Sequence, residues 1–199
     1  EDWARTSFDD SQWPTGAAPL GYGDSRIATV LTATGSRPVT SYFRSHFQVA
    51  DANAIKGVTV RYVADDGAVV YINGHEVDRT RMGSGTVSYQ TRADYAPSYG
   101  TAVDSMSEVF VPAALLRSGD NVIAVETHVN YMRTATVGMQ ASIFRVEGTP
   151  ENNDTHEPSL PTTPQNLGDA TQPIDVRGMT SGEVIPSGTT QWNYWTSTS

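Results

Sequence analysis

Cysteine is absent, and lysine nearly so, with Lys56 standing alone. The first absence excludes a disulfide framework, a thiolate metal site and cysteine nucleophile chemistry. The second is a compositional bias, the other basic residues being arginine; it is the net charge of −9 over 199 residues that argues against nucleic acid, whose phosphates need a basic face. No apolar run approaches the roughly 20 residues of a membrane helix, and no stretch keeps a helical period beyond about one turn. Gly-x-Ser-x-Gly, His-Glu-x-x-His and phosphate-loop motifs are missing, and His46, His75, His128 and His156 share no metal-ligand spacing. No carboxylate pair declares itself as a glycosidase couple. A protein without catalytic residues is the expectation.

What the chain does have is strand signal. Val58–Val77 holds two runs of β-branched and aromatic residues, punctuated by Asp65-Asp66-Gly67 and Asn73-Gly74. Asn-Gly favours a two-residue hairpin turn, because both positions tolerate positive φ. Residues 58–64, 68–73 and 75–79 are therefore expected to form a tight antiparallel meander. Ile27–Thr34, Val39–Val49, Thr86–Thr91, Glu108–Val111, Asn121–Val129 and Val137–Val146 supply further strands, Pro112–Leu116 a helical turn, and 92–105 a long surface loop. Short strands at this spacing predict an all-β jelly-roll sandwich. Residues 1–24 read as loop, yet Trp3, Phe8, Trp13, Leu20 and Tyr22 require them to pack across a sheet.

From 148 to 182 the composition turns polar and proline-rich, a linker that cannot bury enough apolar surface to order itself. It contains the sequon Asn153-Asp154-Thr155. Residues 183–199 are strand-like again and carry Val184, Ile185, Trp192, Tyr194 and Trp195. The chain opens at Glu1 without methionine or apolar leader. With its Thr, Ser, Gly and Asn usage, a processed extracellular protein is expected.

Phe8-Asp9-Asp10-Ser11-x-Trp13, Ala18-Pro19-Leu20-Gly21-Tyr22-Gly23-Asp24, Tyr42-Phe43-Arg44, Asp65 to Gly74 and Gly119 to Glu126 form one ordered series. It resembles the galactose-binding-like jelly-roll domains appended to secreted bacterial hydrolases and phosphoesterases, over residues 1–147. The Asp-Asp-Gly segment is also similar to that of sugar-binding adhesin domains of the protective-antigen type. Where such domains follow Val-Glu-x-His with a Ser-Ser-Asp type loop, this chain has Asn130–Thr136, which lacks the acid. They also open with a strand of Ile-Pro-x-Gly-x-x-Trp-x-Tyr type, whose counterpart here is Ile185–Trp195, after the body.

The resemblance thus implies a body (1–147) lacking its first strand, a linker (148–182) and a displaced strand (183–199). That strand has two destinations. Delivered to the next subunit by donor-strand complementation, it makes the chain a secreted structural subunit that polymerises head to tail into a filament. Returned to its own body, or taken as part of a tandem repeat, it leaves a carbohydrate-binding accessory module. The filament is the reading that gives the rearrangement a purpose.

Candidate ligand groups follow. Asp65 and Asp66, adjacent carboxylates at a turn, suit a hard cation such as calcium, or equally accept local backbone hydrogens. Asp24, with Asp9 and Asp10, extends the cation candidates. Tyr95, Tyr99 and Tyr131 fall in loops, where rings can stack on a polysaccharide or pack between subunits. Glu126 and His128 share one strand face, as a site or as a satisfied pair.

Overall fold

Apolar residues alternate along Thr40–Val49 so that Phe43, Phe47 and Val49 point to one side, into a core shared with Val58, Val60, Tyr62, Met139 and Ile143. That alternation makes two layers. The computed structural model describes residues 2–31, 38–131, 136–148, 183–185 (backbone only) and 191–196. In chain order the strands are β1 Thr15–Ala17, β2 Leu20–Tyr22, β3 Thr29–Val30, β4 Thr40–Val49, β5 Ile55–Asp65, β6 Gly67–Ile72, β7 His75–Thr80, β8 Ser107–Pro112, β9 Gly119–His128, β10 Val137–Glu147, β11 Glu183–Ile185 and β12 Gln191–Thr196, with the helix α1 at Tyr99–Asp104. One sheet runs β1-β12-β4-β9-β6-β7, and the other β3-β2-β10-β5-β8 with β11 also against β10. The result is an all-β, jelly-roll-like sandwich.

The expected meander is half right. Asn73 and Gly74 adopt φ of 52° and 86° and close the β6–β7 hairpin. Asn73 is further pinned by bonds from its Nδ2 to Leu115 O and Asn121 Oδ1 and by Val122 N–H on its Oδ1. Asp65-Asp66-Gly67 is not a hairpin turn. β5 belongs to one sheet and β6 to the other, so the chain crosses between layers there. None of the three residues adopts the positive φ that a tight hairpin turn needs. Ala68, Val69 and Val70 are buried in succession, because β6 is covered on both faces.

Two further expectations change. Thr86–Thr91 forms no strand, and the 92–105 loop contains α1, capped by Ser98, whose Oγ accepts from Thr101 N–H at 3.2 Å. Within residues 1–24, β1 and β2 are strands, and residues 2–13 lie across the outer face of the first sheet. Arg44 on β4 fastens them. Fully buried, it donates to Asp10 Oδ2 (2.7 Å) and to the carbonyls of Trp3, Arg5 (3.1 Å) and Phe8 (3.5 Å). Burial pushes the Asp10 carboxyl up, but Arg44, Asn193 and His46 outweigh it and hold it below the usual range.

β12 lies antiparallel between β1 and β4 of its own body, with Asn193 opposite both Thr15 and Arg44. Trp192 is fully buried in the main core and Tyr194 packs against it, while Trp195 stands half-exposed on Tyr42, ring centroids 5.7 Å apart. Within the single chain, β12 occupies the slot beside β4, the self-complemented one of the two expected destinations. β11 places Ile185 opposite Ile143. The side chains of Val184 and Ile185, the linker and the sequon at Asn153 lie outside the described residues.

Candidate functional site

Where β5 gives way to β6, Asp65 and Asp66 are joined by a cis peptide bond and are both fully buried. Two carboxyl groups side by side out of water cannot both ionise without a compensating cation. Burial first, and Asp66 second, push the Asp65 carboxyl up to about 8. Both Asp65 oxygens lack a well-formed hydrogen bond, although Asp66 and the Thr136 side chain lie beside them. Orphaned oxygens on a buried carboxylate are the feature that a hard cation would satisfy. Arg81, whose charge favours the ionised form of Asp65, gives its guanidinium hydrogen bonds to the backbone carbonyls of Ala64 and Asp66.

Asp66 Oδ2 accepts from the Asn130 backbone N–H at 2.6 Å, and Asn130 Nδ2 donates to Ala93 O at 2.8 Å. Asp94 N–H in turn reaches Arg81 O at 2.9 Å. Residues 82–93 therefore leave and return at one point, as a closed surface loop with both feet beside Asp66. Gly67 is required at that point. A Cβ there would lie 2.8 Å from both Ala93 Cβ and Met82 Sδ and 2.9 Å from Arg81 O.

The loop is hung by side chains. Thr40 Oγ1 donates to Tyr89 O (2.8 Å), His128 Nδ1 to Thr91 O (2.7 Å) and Asn130 Nδ2 to Ala93 O, three alternate carbonyls. This is why Thr86–Thr91 has strand-like alternation without a strand partner. Met82, Val87 and Ala93 pack beneath it on Val69. His128 Nε2 lies 3.2 Å from Glu126 Oε2, and Glu126 Oε1 accepts from Tyr71 O–H at 2.7 Å. Glu126 and His128 thus lie buried together under the loop, but His128 Nε2 makes no well-formed hydrogen bond, so the pair is not fully satisfied as the second sequence reading expected.

Tyr131 follows Asn130 directly and Tyr95 follows Ala93 by two, so both share this end of the sandwich, 48% and 60% exposed. Tyr99 departs from the expectation of a loop aromatic. It begins α1, 1% exposed, with its ring against Gly138 and under the Arg26 guanidinium. Asp24 is likewise taken up. Arg26 grips both its oxygens at 2.8 Å, and that ion pair, with the Arg26 backbone N–H, lowers its carboxyl to about 2. Asp9 caps the Ser11 N–H. The structure brings Asp65, Asp66, Tyr95 and Tyr131 to one end and separates Asp24 and Tyr99 from them in role.

Asn130, Arg81 and Gly67 were not picked out as site residues. Only Asn130 carries a sequence signal, as the first residue of the Asn130–Thr136 loop that stands where a Ser-Ser-Asp type loop was expected. Among the described residues, no three His, Asp or Glu side chains converge as a metal-binding group. A cation here would rest on two carboxylates completed by carbonyl or water oxygens.

No protein-family model and no curated protein matches the sequence. Among solved structures, Streptomyces avermitilis α-L-rhamnosidase complexed with L-rhamnose aligns at 22% identity over 56% of this chain and 9% of its own, with a TM-score of 0.37. The Pleurotus ostreatus lectin in complex with GalNAc aligns at 19% identity over 56% of this chain and 26% of its own, TM-score 0.37. The Aspergillus terreus rhamnosidase aligns at 17% identity over 67% and 14%, TM-score 0.40. The chain spans a small part of each of these proteins, and similarity at this level establishes neither family nor ligand.

Proposed function

We propose that this chain is a non-catalytic carbohydrate-binding module of an extracellular protein, with calcium held by Asp65 and Asp66. The observation that carries the reading is the buried Asp65 carboxyl, its oxygens without a well-formed hydrogen bond, at the same end of the sandwich as the exposed rings of Tyr95 and Tyr131. Aromatic rings offer the apolar face of a sugar a flat partner. A calcium ion on the carboxylates would neutralise them, its remaining ligands being carbonyl or water oxygens. Asn130 and Arg81 hold the surrounding backbone. Affinity electrophoresis through a panel of soluble polysaccharides tests this. Retardation by at least one of them, reduced by EDTA and by Tyr131→Ala, is expected. Equal mobility through every gel overturns it.

A second reading, exchange of β12 between copies, is favoured by one observation. Glu183 pairs beside Phe144, four residues before Gly148, so residues 149–182 rejoin the body close to where they leave it. A connection able to span on the order of 110 Å, at about 3.3 Å per residue, exceeds that need and could carry β12 to a neighbour. Mixing isotopically light and heavy chains and crosslinking β12 to β4 tests it. Mixed-isotope crosslinks support exchange, and purely intrachain crosslinks at all concentrations reject it.

A further inference from the structure

Asp66 is the point to which both feet of the 82–93 loop are tied. From one side its carboxylate holds Asn130 N–H, and Asn130 Nδ2 holds Ala93 O. From the other, Arg81 bonds the Asp66 and Ala64 carbonyls, and Arg81 O receives Asp94 N–H. The bonds close a ring, Asp66 to Asn130 to Ala93 and Asp94 to Arg81 and back to Asp66. Gly67 sits at its centre with no room for a Cβ. A group entering among the carboxylates cannot shift Asp66 without moving both feet, because packed backbone at this density does not absorb displacement locally. Both carboxylates are fully buried, so entry itself requires part of this ring to yield.

We propose that cation occupancy of Asp65 and Asp66 controls the 82–93 loop, Asn130 being the positioning residue that transmits it. The inference rests on the calcium reading above and adds its consequence. With the pair empty, Asp66 is positioned by the Asn130 N–H on its Oδ2. With a divalent cation between the carboxylates, Asp66 is fixed, Asn130 is fixed by it, and the loop settles on Val69 and on the carbonyl hooks of Thr40 and His128. Tyr95, two residues past the Ala93 foot, is then held where a ligand meets it. The loop thus makes sugar affinity depend on the cation even if no sugar oxygen touches the ion.

Hydrogen–deuterium exchange of the whole chain, in EDTA and in calcium chloride, tests the coupling, with calorimetry of calcium alone run in parallel. Amides in the 82–94 segment should exchange about tenfold more slowly with calcium, within the range of ordinary coupling energies. Asn130→Ala removes only the Ala93 tie and keeps the backbone donor to Asp66. It should still give a calcium-binding heat but lose most of the slowing. Calcium binding with unchanged exchange at 82–94 overturns this inference and leaves the calcium reading standing. No binding heat at all overturns both.

Discussion

Asn130 donates its backbone N–H to Asp66 Oδ2 at 2.6 Å, while Asp65, next along the chain, carries a carboxyl pushed up to about 8 by burial and by Asp66. One carboxylate is satisfied and its neighbour is starved. In the absence of a cation, Asp65 therefore holds a proton at neutral pH, and calcium must displace it.

Calcium affinity should accordingly rise with pH, by about tenfold per unit from pH 6 and level off above about 8, with close to one proton released per ion. Calorimetry in buffers of different ionisation enthalpy measures both. A pH-independent affinity with no proton release contradicts the assignment.

Without calcium, the same shift has a definite sign. A carboxyl raised above its unfolded value contributes stability that is fully present below about pH 4 and lost as pH rises through about 8. In EDTA, wild-type melting temperature should fall relative to Asp65→Asn as pH climbs from 5 to 8, and calcium should reverse the trend. Parallel melting curves contradict it.

Trp192 and Trp195 share β12 and should behave oppositely. Trp192→Ala empties a fully buried site and should cost about 3–5 kcal/mol in urea unfolding. Trp195→Ala, 43% exposed with one ring contact to Tyr42, should cost about 1 kcal/mol or less. Similar costs would place β12 outside the slot between β1 and β4.

Arg44→Ala should be among the most damaging changes on the first sheet, about 3–5 kcal/mol, because it removes the main cation beside Asp10 and the guanidinium bonds to the carbonyls of Trp3, Arg5 and Phe8. The loss should appear together with increased exchange of amides in residues 2–13. Unaltered exchange there would show that those residues are held by something else.

Strands with one exposed face were legible in the sequence, as was the Asn73-Gly74 hairpin, because period-two alternation and positive-φ chemistry are local. The crossing at Asp65–Asp66 was not. Its two strands read as one meander until the pairings show that β5 joins β8 and β10 while β6 joins β7 and β9. The 86–91 loop misled for a related reason: its alternation is real, but its partners are the side chains of Thr40, His128 and Asn130. Arg44 alternates with Phe43 and Ser45 along its strand, and nothing local reveals that residues 2–13 will cover it. Asp65 and Asp66 were recognisable as an adjacent acidic pair, but their complete burial depends on distant segments.

Sugar binding in the presence and absence of calcium tests the central claim most directly. The polysaccharide that retards the chain most in affinity gels would be cut to oligosaccharides and titrated calorimetrically into the calcium-loaded chain, into the EDTA-treated chain and into Asp65→Asn. Saturable heat in the first, reduced at least about tenfold in affinity in the other two, is predicted. Equal affinity in all three would contradict the placement of the site at Asp65 and Asp66.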